Sequence, residues 1–531
     1  MKKIFAIAAL MAATMPMAAQ ETYENAKLAQ GDLNGTARYV GMGGAMEALG
    51  ADISTIGTNP AGIGLFRKSS VSMSFGLVSQ DGVNSVLDAS KTNASFDQLG
   101  FVYSSRTGKT SFLNLAFNYH KSRNFNQILS ASHALDRAAL NKLTYAKAKN
   151  ELLFEERMSD NGKYVPNFDR PYLSCSQLDD MLSYWGMSYD EDDQMWYYYD
   201  ADRYQFNRAQ KGYIGEYDFN ISGNINNRVY LGVTVGIHDV HYKHYGEYVE
   251  HIPDGANSFD VTVADTREIT GTGFDVKAGV IFRPNEASPF RIGLSMATPT
   301  FYELYSNNYT YITDGPNSIN TSHIHDASAR TSYSFKLYTP WKFGLSMGHT
   351  IGTQVALGAS YEYADYGSMD TRSITGEYYD YWSDSYITDS ESDKAMNAHT
   401  ERTLKGVHTL KLGAEYKPTK DVALRIGYNY VSPMYQTGGF KDGTIESPGT
   451  YVASAADFTN WEDTHRLTLG TGYTYNKFNV SLAYQYSTTS GKFYPFMSYE
   501  DNTTPDDSNI ADGVKVNNNR HQLLLTLGYT F

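Results

Sequence analysis

Arg520-His521-Gln522-Leu523-Leu524-Leu525-Thr526-Leu527-Gly528-Tyr529-Thr530-Phe531 closes the chain. Leu523, Leu525, Leu527, Tyr529 and Phe531 fall on one face of an extended strand, and Leu524, Thr526, Gly528 and Thr530 fall on the other. Strict alternation over this length predicts a β-strand with one fully apolar face.

The same grammar recurs upstream. Val229, Leu231, Val233, Val235 and Ile237 alternate with Tyr230, Gly232, Thr234, Gly236 and His238, and Val422, Leu424, Ile426, Tyr428 and Tyr430 with Ala423, Arg425, Gly427 and Asn429. Fourteen such segments are predicted, at 70–80, 95–106, 110–121, 212–226, 228–242, 272–283, 289–298, 332–349, 353–366, 405–417, 421–431, 464–475, 478–487 and 520–531. Short links such as Asn226-Asn227, Ile351-Gly352 and Asn476-Lys477 alternate with long ones at 122–211, 243–271, 299–331, 367–404, 432–463 and 488–519. Short turns on one side and long loops on the other describe a transmembrane barrel, with the turns periplasmic and the loops outside. The expectation is an all-β, fourteen-stranded antiparallel barrel over 70–531, with both termini periplasmic. The terminal strand resembles the signal read by the barrel assembly machinery, which makes Tyr529 and Phe531 the assembly residues.

Composition agrees with a barrel and excludes other classes. Lys2 and Lys3, an apolar run from Ile4 to Met15 and the small residues Met17-Ala18-Ala19 predict a signal peptide over 1–19. No cysteine stands near that site, so a lipoprotein anchor is not expected, and the lone Cys175 cannot form an intramolecular disulfide. Net charge is −14, and −16 without Lys2 and Lys3, which argues against nucleic acid. Mean hydropathy is −0.45 and no apolar run spans a membrane as a helix, yet the chain holds 44 Tyr and 45 Gly. Strands that show lipid only alternate side chains, with aromatics gathered at both interfaces, account for both facts.

Residues 20–69 do not alternate. They are small and Gly-rich, with Gly41, Gly43 and Gly44, then Asn59-Pro60-Ala61-Gly62. Too few large apolar side chains are present for an independent domain, so a plug packed inside the barrel is expected. No strand precedes the glycines, which argues against a dinucleotide loop. Pro60 restrains the backbone of Asn59, and the amide of Asn59 can satisfy buried backbone groups. Ala37-Arg38, Gly43-Gly44-Ala45, Asp52, Ser54 and Asn59-Pro60-Ala61-Gly62, in that order, resemble the hatch of the FadL family of outer-membrane transporters for long-chain fatty acids and aromatic hydrocarbons. The resemblance implies capture of a hydrophobic ligand by outer loops, passage through the lumen, hatch rearrangement and sideways exit at a kink in the third strand. Here that strand carries Asn114, Asn118 and His120, and Ser122-Arg123-Asn124 breaks its pattern. Outer-membrane lipid and lipopolysaccharide would surround such a barrel. Family-like barrels also serve as partners of secretion machinery or surface lipoproteins, which is the alternative function.

Several groups suggest chemistry of their own. Trp196, Tyr197, Tyr198 and Tyr199, with Phe301, Tyr302 and Tyr305, are candidates for ligand capture in the loops. Ala134 to Glu156 reads as a loop helix. Glu216, Asp218, Asp275, Lys277, Lys411, Arg425 and Arg466 are expected to face the lumen as a charge network. His238, His241, His244 and His251, and the pair His323 and His325, raise a haem receptor as a further alternative. His238 and His241 point to opposite faces, no carboxylate partner is evident for them, and neither metal nor cofactor is expected. No Gly-x-Ser-x-Gly motif occurs, so no enzyme is expected.

Overall fold

The computed structural model describes residues 21–531 apart from 87–88, 155–156, 159–161, 163, 169–174, 254, 256–257, 315–326 and 383. The signal peptide over 1–19 and the pair His323 and His325 lie outside the described residues.

Fourteen strands pair antiparallel in a closed ring: β1 (Ser70–Asp81), β2 (Thr92–Arg106), β3 (Phe112–Asn124), β4 (Ala201–Ile225), β5 (Val229–Ile252), β6 (Phe259–Phe282), β7 (Arg291–Ala297), β8 (Lys342–Ile351), β9 (Val355–Asp365), β10 (Gly406–Tyr416), β11 (Val422–Val431), β12 (Phe458–Tyr475), β13 (Phe478–Tyr494) and β14 (Val514–Thr530). The terminal strand β14 closes on β1 in unbroken register from Ser70↔Thr530 to Asp81↔Asn519. Closure leaves no unpaired edge for lipid to face. Alternation decides which face is which. On β5, Tyr230, Thr234 and His238 are buried inward, whereas Leu231, Val233, Val235 and Ile237 are close to half exposed on the outside. Matching outward residues on the other strands make an apolar belt around the ring. At the short-turn end Asn226 and Asn227 both adopt left-handed backbone, the conformation a two-residue hairpin needs.

The expected loops are shorter than the sequence pattern suggested. β4, β5 and β6 run 25, 24 and 24 residues, where about 9–11 suffice to cross the hydrocarbon core. Their outer halves therefore stand above the membrane, and the loop expected at 243–271 shrinks to the residues between Ile252 and Phe259. There the chain still alternates, but Tyr, His, Thr and charged residues such as Lys243, Glu247 and Glu268 replace aliphatic ones on the outer face, so the hydrophobic signal stops before the strand does. The loop expected at 299–331 is a hairpin, Phe301–Asp314 with Ala327–Tyr338, that extends the sheet from the outer half of β6. Pro299 and Pro340 break strands seven and eight at one level because proline cannot donate to the ladder. Thr300 N donates to Thr339 Oγ1 (2.8 Å) and Thr339 N to Thr300 O (3.2 Å), which holds the two breaks together. A second hairpin, Asp370–Asp380 with Ser385–Ser392, occupies most of 367–404.

Between these extensions the loops build a packed cap. The expected helix over 134–156 is a strand, Gln127–Ala138, followed by helix α3 (Leu140–Asn150), so Leu135 belongs to the strand. Helix α4 (Gln177–Gly186) starts on a Ser176–Asp179 capping box. Leu143, Leu182, Phe206, Phe493 and Phe496 form the centre of the cap's own core.

Candidate functional site

The N-terminal segment runs the length of the lumen. At the cap end, α1 (Thr22–Ala29) sets Thr22 Oγ1 2.8 Å from Thr400 Oγ1, and Glu21 pairs with Lys441 (2.7 Å). At the other end, the turn Pro60–Leu65 packs against β4, β5 and β6, and Phe531 N donates to Ser69 O (3.0 Å). Ser69 and Phe531 thus meet at the short-turn end. Glu21, the first described residue, lies at the opposite end, which departs from the expectation that both termini share one side. The segment starts among the loops because it threads the barrel before the first strand begins.

Backbone-close packing explains the glycines on both surfaces. Gly43 has φ +63° and sits against Tyr428 of β11 and Leu412 of β10. On the wall, a Cβ on Gly358 would overlap the carbonyl oxygen of Ala45, and one on Gly279 would overlap Asn59 Oδ1. Asn59 is fully buried; its Oδ1 accepts from Ala61 N (3.2 Å), and its Nδ2 donates to Leu294 O on β7 (3.4 Å). Pro60 and Ala61 lie over Gly232, whereas Gly62 meets Thr55 inside the segment. Helix α2 (Ala37–Gly41) rests on β11 to β14, with Gly41 over Gly470. Ion pairs add to the attachment: Lys411 with Glu47 (2.7 Å) and Arg267 with Glu24 (3.4 Å) are buried, and the partly exposed Arg38 pairs with Glu415 (3.1 Å), which Arg425 shares (2.7 Å).

A window interrupts the wall between β2 and β3. β2 and β3 pair from Arg106↔Phe112 up to Gln98↔His120 and no further. At that level each carries an extra residue: Asp97 shifts the register of β2 against β1, and Ser122 shifts that of β3 against β4. Such bulges bend a strand and leave polar groups without ladder partners. Segment residues supply the partners. Asp32 N donates to Ser122 O (2.8 Å), Asn124 N donates to Asp32 Oδ2 (2.9 Å), and Asn34 Nδ2 donates to both Asp97 Oδ1 (2.9 Å) and Lys121 O (3.1 Å). Lys121 Nζ reaches Ser95 Oγ across the opening (2.8 Å). Above it, the Gln80 amide bonds both Ile128 N and Ile128 O at 2.8 Å, which closes the top of the window. Its outer lip is aromatic, with Phe96 stacked on Tyr119 at 5.8 Å.

Of the third-strand residues singled out from sequence, Asn118 and His120 border this opening, whereas Asn114 lies well below it, opposite Ser104 in the paired ladder. Asn114 Nδ2 donates to Ile63 O (2.8 Å) and holds the segment. Asn118 bonds Gln98 (2.9 Å) at the lower sill. His120 lies 3.6 Å from Glu216 and 3.5 Å from Asp218. Behind the window is a cavity of about 280 Å³, lined by charged residues including Arg123, Arg466 and Arg520 and by Tyr39, Phe125, Tyr366 and Trp461. Next to it, Glu216, Asp218 and Asp275 converge on Lys277 Nζ at 2.7, 3.3 and 2.7 Å. The expected lumen charges therefore include one group of acids gathered on a lysine.

The histidines differ from expectation. Each of the four has a carboxylate partner: His238 with Asp275 (3.0 Å), His241 with Asp239 (2.9 Å), His244 with Asp265 (3.1 Å) and His251 with Asp260 (2.7 Å). Three of these acids come from β6, the next strand, which its register with β5 brings alongside. The proposed capture aromatics do not converge on one groove. Trp196 stacks on Phe154 (5.5 Å), and the Tyr198 hydroxyl bonds Asp507 (3.0 Å), while Tyr197 and Tyr199 remain exposed on the cap. Tyr302 faces inward toward His238, whereas Phe301 and Tyr305 take the outer face of the same strand. The residues that sequence reasoning missed are Asp32 and Asn34. Their one signal is that they stand between Gly31 and Gly35 in an otherwise small-residue segment.

The profile of a family described as "Outer membrane protein transport protein (OMPP1/FadL/TodX)" matches residues 15–438. No curated protein matches the chain. Solved structures similar to it include a Pseudomonas aeruginosa FadL homologue (12% identity, 95% of this chain and 100% of that one, TM-score 0.47). Others are the Pseudomonas putida toluene transporter TodX (11%, 94% and 99%, 0.46) and the Ralstonia pickettii toluene transporter TbuX (10%, 94% and 99%, 0.45).

Proposed function

The chain belongs to the OMPP1/FadL/TodX family of outer-membrane transport proteins, and on that premise we propose that it passes small hydrophobic molecules sideways through the β2–β3 window. The observation that carries this reading is the window itself. Two bulges part the strands at one level, and Asp32 and Asn34 complete the bonds that the strands leave open. A cover made of a few hydrogen bonds can be released at modest cost, whereas opening a continuous ladder breaks many at once. Cargo, of fatty-acid or other lipid-like type, is captured on the cap, where Tyr197 and Tyr199 are exposed. It then occupies the cavity beside Phe125 and Trp461 and leaves past Phe96 and Tyr119 when the segment shifts. Residues 20–69 act as the hatch, Phe531 lies on the periplasmic side, and Tyr529 with Phe531 serves the assembly machinery.

The test fills the opening. In Ser95→Trp an indole replaces the hydroxyl that Lys121 now reaches across the window. Proteoliposomes carrying this variant should take up a labelled hydrophobic compound several-fold more slowly, with binding of the compound to purified protein unchanged. Equal uptake rates would remove the sideways route. A second reading, a docking barrel for a surface lipoprotein, is favoured by one feature: Tyr381 and Trp382, exposed at 88% and 98%, tip the hairpin 370–392.

A further inference from the structure

Three carboxylates meet inside the wall at the lower sill of the window, and one lysine cannot serve all their oxygens. His120 on β3 is the cross-strand partner of Glu216 on β4, and Asn118 that of Asp218, so His120, Glu216 and Asp218 face the lumen side by side. Asp275 of β6 reaches them past Gly236 of β5, where a Cβ would stand 2.5 Å from Asp275 Oδ1 and 2.7 Å from Lys277 Nζ. Lys277 takes one oxygen of each acid: Glu216 Oε1 (2.7 Å), Asp218 Oδ1 (3.3 Å) and Asp275 Oδ1 (2.7 Å). The second oxygen of Asp275 is served as well, by Thr300 Oγ1 (3.2 Å) and His238 Nε2 (3.0 Å). Those of the other two acids are not. Asp218 is completely buried, and its Oδ2 accepts no hydrogen bond from any described residue. Glu216 Oε2 lies 3.6 Å from His120 Nε2 and 3.8 Å from His238 Nδ1, both beyond hydrogen-bond length. Among other cations lining the adjoining cavity, Lys27 holds Glu24 and Lys411 holds Glu47 (2.7 Å each), and neither Lys342 nor an arginine comes within ion-pair distance of the three acids. Three carboxylates against one ammonium leave a buried surplus of negative charge, which is costly unless something positive joins it.

The unserved atoms point at one place. One ligand atom each from His120, Glu216 and Asp218 lies within 4.8 Å of the other two, and His120 Nδ1 is 3.5 Å from Asp218 Oδ2. Ligands bonded to a metal at about 2.0–2.2 Å stand about 3.0–3.6 Å apart, so the three need to close by about an ångström at most. Lys277 holds the opposite oxygens of the same carboxylates and leaves this place open. His120, Glu216 and Gly57 line the 280 Å³ cavity, from which water can complete a coordination sphere. Gly57 of the N-terminal segment faces the set without a side chain; a Cβ there would stand 3.5 Å from His120 Cε1 and 3.7 Å from Asp218 Oδ2. We propose that His120, Glu216 and Asp218 bind one divalent transition cation of the Zn²⁺ or Mn²⁺ kind. An imidazole beside two carboxylates suits these ions, whereas Ca²⁺ and Mg²⁺ take oxygen ligands and copper(I) takes sulfur. The bound ion ties β3 to β4 at the level where β2 and β3 part. Nothing in the site depends on the transport reading.

Equilibrium binding to the purified full-length protein, without an affinity tag, stripped with EDTA and held in a neutral amphipol, tests the site. The protein should retain about one Zn²⁺ or Mn²⁺ per barrel in preference to Mg²⁺. Anomalous scattering at the zinc edge should place the ion against His120, Glu216 and Asp218. His120→Gln and Asp218→Asn should each weaken binding at least about tenfold. His241→Gln, which alters an outward-facing histidine paired with Asp239, should leave it unchanged. The temperature at which the barrel loses its folded electrophoretic mobility gives a second reading. Saturating Zn²⁺ should raise it for the native sequence and not for Asp218→Asn. In EDTA the order reverses, with Asp218→Asn the more heat-resistant, because the amide removes a buried charge that nothing neutralises. No retained ion, Mg²⁺ retained as well as Zn²⁺, or an Asp218→Asn variant that binds as before overturns the site.

Discussion

Gly358 shows how a single position serves both surfaces of the lumen. As an inward position on β9 it needs no side chain to complete the sheet, yet the Ala45 carbonyl of the N-terminal segment occupies the space a Cβ would take. Gly358→Val forces the segment away, at a cost on the order of 1–3 kcal/mol by analogy with overpacked cores. The ladder of β9 with β8 and β10 uses only backbone groups that valine retains. The expected outcome is a fully assembled barrel whose residues 21–69 are cleaved faster by added protease. Unchanged cleavage would mean that the close approach does not seat the N-terminal segment. From sequence, this glycine looks like any other in a Gly-rich barrel, since the atom that requires it lies more than three hundred residues away.

At the level of elements, the cap couples a strand to a helix through Glu250. Ala139, the residue before helix α3, has no polar side chain to cap it, and Glu250 at the outer end of β5 accepts Leu140 N (3.0 Å) and the Tyr248 hydroxyl (3.0 Å) instead. Burial raises the Glu250 carboxyl to about 7, against the partial relief of those two donors. The folded cap thus takes up a proton before the unfolded chain does. Its stability should rise as pH falls from about 7 toward the ordinary glutamate value, by at most about 3 kcal/mol, and should be lowest above pH 7. Glu250→Gln should flatten this dependence, read as hydrogen exchange of α3 amides between pH 5 and 8 after correction for intrinsic rates. A second element-scale feature is a repeat. His408, His465 and His521 each open a His-x-Leu run on one strand, and each Nδ1 lies 2.7 Å from a hydroxyl of the neighbouring strand: Tyr361, Tyr428 and Tyr484. These pairs sit at the upper border of the apolar belt, where an aromatic girdle is expected. The motif is written in the sequence three times, but its meaning depends on strand register.

For the whole molecule, the ring and its filling are separable. Every strand of the barrel is paired on both sides by other barrel strands, whereas the N-terminal segment contributes packing, several ion pairs and the window bonds. Deleting Glu21 to Ser69 should therefore leave an SDS-resistant, heat-modifiable barrel with much larger single-channel conductance. Failure to assemble would show that the ring needs its filling to close.

Strand number, ring closure and the lipid-facing belt were legible in the sequence because alternation is local: every second residue from Val229 to Ile237 states which side meets lipid. The tight turn at Asn59-Pro60-Ala61-Gly62 was legible for a similar reason, since Pro60 fixes its own backbone among small residues. Strand ends above the membrane were not, because once a protein cap replaces lipid, Tyr, His and Thr serve as well as Leu. The window and the meeting of acids on Lys277 lay beyond any local pattern. A bulge at Asp97 or Ser122 is defined only against a partner strand, and Glu216, Asp218 and Asp275 meet Lys277 only because β4, β5 and β6 lie side by side. Period-two chemistry determined the barrel; the register between remote strands decided where its wall opens and what charge waits behind it.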